Sequence, residues 1–237
     1  MESEKIRQFL IEITKKASAL ISDDFKVEQK GSAADLITNL DVEIEEFLIN
    51  EIGESYPSFD IVSEEKNFDH KITENCFVID PIDGTINFAN SLPLWGIQIA
   101  CVMSSEVVAA VIYLPKMNEL YSADTNGAYL NGRKITTKAV PIKNTLYSID
   151  GTNNLPIMEK MRPFSSGRRN LGAVCVSMAF VSCGRLHGAL FRSDKPWDYL
   201  PGLFIAKMAG ATVCDEPGFH GAAMNEEFLN ILKEANS

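Results

Sequence analysis

Apolar residues at Ile6, Phe9, Leu10, Ile13, Ala17, Leu20 and Ile21 recur every three or four positions, which predicts an amphipathic helix ending near Ser22-Asp23-Asp24. A polar, Gly-containing stretch through Lys30-Gly31-Ser32 follows. A second stripe, Ile44, Phe47, Leu48 and Ile52, predicts a helix beginning around Asp41 and closed by Tyr56-Pro57-Ser58. The texture then changes to short runs rich in β-branched residues at 61–62, 77–79, 97–102 and 107–114, with shorter strand candidates at 119–123 and 128–130. Ser104-Ser105 reads as a hairpin turn and Asn131-Gly132 as another turn. Beyond these, strands are predicted at 146–149 and 186–191, and helices around 156–161, 173–183, 197–209 and 225–235. The helix over 173–183 is apolar on most sides, so it is expected to be buried all round. Without a repeat or a linker, the pattern implies an N-terminal α+β half (1–140) and a C-terminal α/β half (141–237) packed as one unit.

With 237 residues and 46% hydrophobic content, the chain is long enough to bury a substantial core. Twenty-two basic against thirty-two acidic residues give a charge of −10, which argues against nucleic acid or an anionic membrane as a partner. The N-terminus leads straight into the first amphipathic stripe, so neither a signal peptide nor a spanning helix is expected, and a cytoplasmic location is inferred. Five cysteines without Cys-x-x-Cys spacing read as buried free thiols.

The chemistry concentrates at Val78-Ile79-Asp80-Pro81-Ile82-Asp83-Gly84-Thr85. Apolar residues carry a buried strand up to Asp80, and Pro81 is expected to end the strand ladder and turn the chain there. Gly84 permits close backbone approach, and residues 85–89 can open a short helix whose amides face an anion. A carboxylate pair beside an anion site calls for a divalent cation between them, because bare carboxylates repel phosphate. Magnesium prefers oxygen ligands and bridges carboxylates to phosphate. Ser63-Glu64-Glu65 ends one predicted strand, and Trp197-Asp198 opens a predicted helix, so both can supply further acids. Singly, Asp198 is an ordinary N-cap, Glu64 a solvated strand end and Asp-Gly a turn.

Taken together, Asp35-Leu36-Ile37-Thr38 with Asp41, Ser63-Glu64-Glu65, Asp80 to Thr85 with Asn87-Phe88, and Trp197-Asp198 resemble the inositol monophosphatase family of lithium-sensitive, magnesium-dependent phosphatases. The likeness spans nearly the whole chain. It implies a sugar-phosphatase-like α/β fold, a layered α-β-α-β-α sandwich with two mixed sheets. It implies two or three Mg2+ ions held by Glu64, Asp80, Asp83, Asp198 and the Ile82 carbonyl, with Asp80 bridging two of them. Thr85, supported by Asp41, and Glu64 are the implied catalytic residues for a metal-activated water. Ile82, Asp83, Gly84, Thr85, Gly172, Ala173 and Arg192 are the implied substrate contacts. Lys30 resembles a family lysine near the site, and a homodimer is implied.

Departures from the family pattern cluster on the leaving-group side. Phe191 stands where a hydroxyl-gripping Glu is usual, Ala173 where a hydroxyl residue is common, Ile86 where a second Thr is usual, and Leu200-Pro201 where small residues follow Trp-Asp. Arg168, Arg169, Arg185 and Arg192 are dense in this half; a second anionic group on the substrate or ordinary salt bridges would explain them. The expected substrate is a small soluble phosphomonoester: an inositol, polyol or sugar phosphate. Alternatives are a nucleotide 3'-phosphatase, a fructose-bisphosphatase, a histidinol-phosphatase, or a non-catalytic regulator on the same scaffold.

Overall fold

The computed structural model describes residues 2–22, 24–29, 36–149 and 154–236. The expectations on Asp23, Lys30, Gly31, Ser32 and Asp35 lie outside the described residues. In chain order the first part holds α1 (Glu2–Ser18), β1 (Val27–Gln29), β2 (Leu36–Thr38), α2 (Asn39–Ser55), β3 (Asp60–Ser63), β4 (Cys76–Asp83), α3 (Thr85–Ala89), β5 (Gly96–Met103), β6 (Glu106–Leu114), β7 (Glu119–Asp124), β8 (Gly127–Leu130) and β9 (Arg133–Ile135). There follow β10 (Leu146–Ile149), α4 (Leu155–Met161), β11 (Gly167–Arg169), α5 (Val174–Ser182), β12 (Gly188–Phe191), α6 (Pro196–Met208), β13 (Thr212–Glu216), β14 (Phe219–Ala223) and α7 (Glu226–Asn236).

Two mixed sheets result. The larger runs β3-β4-β5-β6-β7-β8-β9, parallel only between β3 and β4; the smaller runs β11-β10-β12-β14-β13, with β10 parallel to β11 and β12. Period-two alternation assigns each face of the large sheet its own core. Phe77, Ile79, Ile97, Ile99 and Val111 meet Ile6, Leu10, Ile44 and Leu48 of α1 and α2. Val78, Ala100, Ala110 and Ile112 meet Cys175, Val176, Phe204 and Ile205 of α5 and α6. The opposite sides of α5 and α6, with Val174, Met178, Leu203 and Ala206, pack on Ala189 and Ala222 of the small sheet. Its far face, with Tyr147, Ile149 and Leu190, is covered by Ile157 and Met161 of α4 and Phe228 and Leu232 of α7. The order is therefore helix, sheet, helix, sheet, helix, and α5 is buried all round because it lies between two sheets.

Turn chemistry matches the sequence. Ser104 and Ser105, both at positive φ (54° and 66°), join β5 to β6, and Asn131 and Gly132 (48° and 77°) join β8 to β9, in the sense that suits right-twisted hairpins. Three expectations need correction. First, α1 ends at Ser18, and Leu20 lies outside it, exposed, in a turn bonded to Ala17. Second, β4 does not stop at Pro81 but runs to Asp83, with the register shifting between Asp80 and Asp83. The β3 ladder has already ended at Ser63 opposite Ile79, so Pro81 lies beyond one neighbour and inside a bulge against the other, where no N–H is demanded. Third, the stretch between the predicted helices over 197–209 and 225–235, given no strand in sequence, carries β13 and β14: Thr212 and Val213 supply a short β-branched signal, whereas Gly221, Ala222 and Ala223 of β14 are small and pair with β13 on one side and β12 on the other.

Candidate active site

Being apolar along both faces, β4 is drawn into the middle of the molecule, and it delivers Asp80 there at 1% exposure. Asp80 Oδ1 is buried and has no hydrogen-bond partner among the described residues. Burial first, then the negative charges of Glu64, Asp83 and Asp198, hold the Asp80 carboxyl well above the ordinary range, against a hydrogen bond from Gln98. Glu64, Asp83 and Asp198 therefore all act on Asp80, and the topology explains why. Glu64 leaves β3 one residue past the Ser63–Ile79 pair, Asp83 ends β4, and Asp198 lies in the first turn of α6.

Backbone and side-chain donors hold Asp83 and Asp198. Asp83 Oδ2 accepts from the Cys175 amide in the first turn of α5 and, at 3.4 Å, from Gln98 Nε2, which also reaches the Asp198 carbonyl at 3.1 Å. Asp198 is pushed up to about 7 by burial and by the charge of Asp83, opposed by Lys195 and a hydrogen bond with Ser193. An all-oxygen set around a buried acid with an unpaired oxygen fits a hard divalent cation. The side chains do not already converge as a ligand shell: among the described residues no three His, Cys, Asp or Glu groups stand close enough to form one.

Asp41 comes from a neighbouring element. Thr38 caps α2, and its N–H and hydroxyl both donate to Asp41 Oδ2 in a reciprocal capping box, while Asp41 Oδ1 is buried without a partner. Burial, aided by the charge of Glu65, pushes Asp41 up to about 6. The Thr85 hydroxyl donates to the Ile82 carbonyl at 3.0 Å, so Thr85 and Asp41 hold separate partners in this structure.

The turn after β4 packs directly on the loop before α5. Gly84 has φ of +93°, and a Cβ there would lie 2.9 Å from the Ala173 Cβ and 3.1 Å from the Leu94 carbonyl. Gly172, at φ of +71°, would set a Cβ 3.0 Å from Asn87 Nδ2, a tight fit against a side chain whose amide bonds the carbonyls of Leu94 (2.6 Å) and Leu171 (2.7 Å). Only glycine fits either place. Gly84, Thr85, Gly172 and Ala173 thus form one wall beside the acids. Arg192 donates to Asn154 Oδ1 and directly precedes Ser193, the partner of Asp198. Phe191 packs in the apolar layer between α5, α6 and the small sheet. Of the other arginines, Arg185 makes two 2.7 Å bonds to Glu119, Arg168 ties the Ile149 carbonyl at 3.0 Å, and Arg169 bonds the Arg168 carbonyl.

Comparison with known proteins decides the kinship. The model of the "Inositol monophosphatase family" matches residues 2–230. The chain belongs to the inositol monophosphatase family. Members of this family are phosphoric monoester hydrolases. A Thermotoga maritima relative named fructose-1,6-bisphosphatase/inositol-1-monophosphatase is 32% identical over 86% of this chain and 80% of its own. The Nus factor SuhB of Escherichia coli K12 is 31% identical over 89% of this chain and 85% of its own. The solved structure of a Thermotoga maritima IMPase superposes with a TM-score of 0.86 at 26% identity, covering 98% and 96% of the two chains. The layered architecture is thus that of inositol monophosphatases.

Several residues that build this inositol monophosphatase-family site were missed in sequence. Gln98, inside the apolar run of β5, pairs with Asp80 across the ladder and touches Asp83 and Asp198; its signal is a lone amide among residues otherwise apolar. Glu45, fully buried one helical turn after Asp41, accepts from the Ser63 hydroxyl and from the amides of Glu65 and Lys66, so it fixes the loop that carries Glu64. Its spacing of four from Asp41 places it in the buried stripe of α2. Cys175 contributes through its amide alone, for which no side-chain signal exists.

Proposed function

We propose that this chain is a magnesium-dependent phosphatase that hydrolyses a small phosphomonoester, an inositol, polyol or sugar phosphate. One observation carries this reading above the rest: a fully enclosed carboxylate with an unpaired oxygen, Asp80, lies in the joint field of Glu64, Asp83 and Asp198. Those four side chains and the Ile82 carbonyl would hold two or three ions. Magnesium, when bound, neutralises phosphoryl charge and lowers the pKa of water near it. Thr85 and Asp41 orient the attacking water, with the unpaired Asp41 Oδ1 as the atom that takes its proton; a carboxyl pushed up to about 6 is well matched to that task near neutral pH. Glu64, which acts on Asp80, is the third residue assigned to the reaction. The backbone of Gly84 and Thr85 receives the phosphate, and the Gly172-Ala173 loop limits its position.

Arg192 favours a second reading of the leaving group, because it lies one residue from the Ser193 contact to Asp198 and carries a guanidinium suited to a second anion. A panel of inositol, sugar and nucleotide monophosphates and sugar bisphosphates, assayed for phosphate release with magnesium, separates the two. Monoester turnover, lost with chelator and restored by magnesium, supports the first reading, and a strong bisphosphate preference supports the second. Inhibition by millimolar lithium and a dimeric mass in solution are expected alongside. No release from any member with magnesium or manganese present would refute the enzyme and leave a regulator on the same scaffold.

A further inference from the structure

His220 on β14 is almost fully enclosed, and each of its ring nitrogens faces a carboxylate: Nδ1 lies 2.7 Å from Asp215 Oδ1 on β13, and Nε2 lies 2.8 Å from Asp194 Oδ1. Its ring stacks on Tyr199 with centroids 3.6 Å apart and planes 10° from parallel. The Gly218 amide, in the turn between β13 and β14, donates to the same Asp194 oxygen at 2.8 Å. That amide and the His220 ring hold the Asp194 carboxyl below its usual range although it is 63% exposed. One imidazole therefore grips the chain four residues before Asp198, at Asp194, and one residue after it, at Tyr199. Between the grips, Pro196 fixes its own φ and the Asp198 amide bonds the Lys195 carbonyl at 3.1 Å, which leaves little slack.

We propose that His220 is a positioning residue: with the β13–β14 hairpin it clamps the Asp194–Tyr199 segment and so sets where the Asp198 carboxylate stands relative to Asp80 and Asp83. This rests on the reading of Asp198 as a metal ligand. The groups that face the imidazole are Asp215, Asp194 and Tyr199. Outer partners that orient ligands typically change metal affinity by ~10–100-fold when removed, and a clamp acting through the backbone belongs at the low end.

His220→Phe keeps a flat ring over Tyr199 but loses both nitrogens, and Asp194→Ala removes only the loop end of the clamp from an exposed position. Direct Mn2+ binding to the full chain, measured by calorimetry and by the paramagnetic signal of free Mn2+, should weaken about tenfold in each. The double variant should be no weaker than the worse single one, because both changes break the same link. With p-nitrophenyl phosphate and fixed Mg2+, kcat should fall while KM moves less than about twofold. Wild-type Mn2+ affinity in Asp194→Ala, or losses that add in the double variant, would overturn the clamp. Should His220→Phe not fold, Asp194→Ala alone decides by the same binding measurement. A wild-type chain that binds no Mn2+ sinks the metal reading together with the clamp, whereas Mn2+ binding that both variants retain unchanged sinks the clamp alone.

Discussion

Two aspartates buried in this molecule have opposite fates. Asp124, at the end of β7, is fully buried, and its carboxylate meets the Arg7 guanidinium of α1 at 2.7 Å and the Asn126 amide at 2.7 Å. Arg7 is itself 7% exposed and lies over the Tyr129 ring at 4.5 Å. Asp80 is equally deep, but it lies in the field of three other carboxylates, and among the described residues no guanidinium or ammonium is shown paired with it and one of its oxygens is unpaired. Burial of a charge therefore does not mark a functional site by itself. A buried acid matched by a cation is a structural joint, and a buried acid facing other acids is a place that needs a cation from outside.

The largest test of that contrast is Asp80→Asn. Its expected effect is a fall in kcat of about 10⁴-fold, about 5.4 kcal/mol at ~1.36 kcal/mol per decade, with a chelator-treated melting temperature no lower than wild type. A melting temperature that drops sharply instead would make Asp80 a structural acid. Next in size, Arg7→Met should cost about 3–5 kcal/mol in urea unfolding, because it leaves Asp124 buried without its cation. Its folded fraction should turn over within about twofold of wild type, since the pair lies outside the site; a large loss of kcat would erase the distinction drawn here.

The smallest effect concerns pH. Asp198 at about 7 and Asp41 at about 6 are raised above the ~3.9 of an unfolded chain, so their contribution to folding is fully present below pH ~4 and is lost as pH rises through 6 and 7. If Asp198 is a magnesium ligand as proposed, binding needs its carboxylate ionised, so the stabilisation by magnesium, about 2.7 kcal/mol at a hundred times Kd, should be complete above pH ~8 and fade as pH falls through 7 to 6. Scanning calorimetry with and without magnesium from pH 5 to 9 measures it, and a pH-independent increment would show that Asp198 is not linked to the metal.

Much of this was legible in one dimension because it depends on local rules. The stripes of α1, α2 and α7, the serine and Asn-Gly hairpins, and the apolar α5 follow from periodicity and turn chemistry. The dense run from Asp80 to Thr85 announced the site, and its likeness to a known family named the partner acids. Other features escaped for physical reasons. Whether Pro81 ends β4 depends on where β3 stops, the small residues of β14 form a strand between β12 and β13, and Gln98, Glu45 and His220 look like ordinary polar residues until their neighbours are known.

By itself, the order of residues determined which segments are helical or extended, which faces are apolar, and that acids gather at the end of one buried strand. Only the tertiary structure decided that Asp124 is neutralised and Asp80 is not, because pairing a buried charge requires a partner from a distant element, here α1 for one acid and none for the other. Electrostatic energy depends on separation in space and on exclusion of water, and neither is written in sequence spacing.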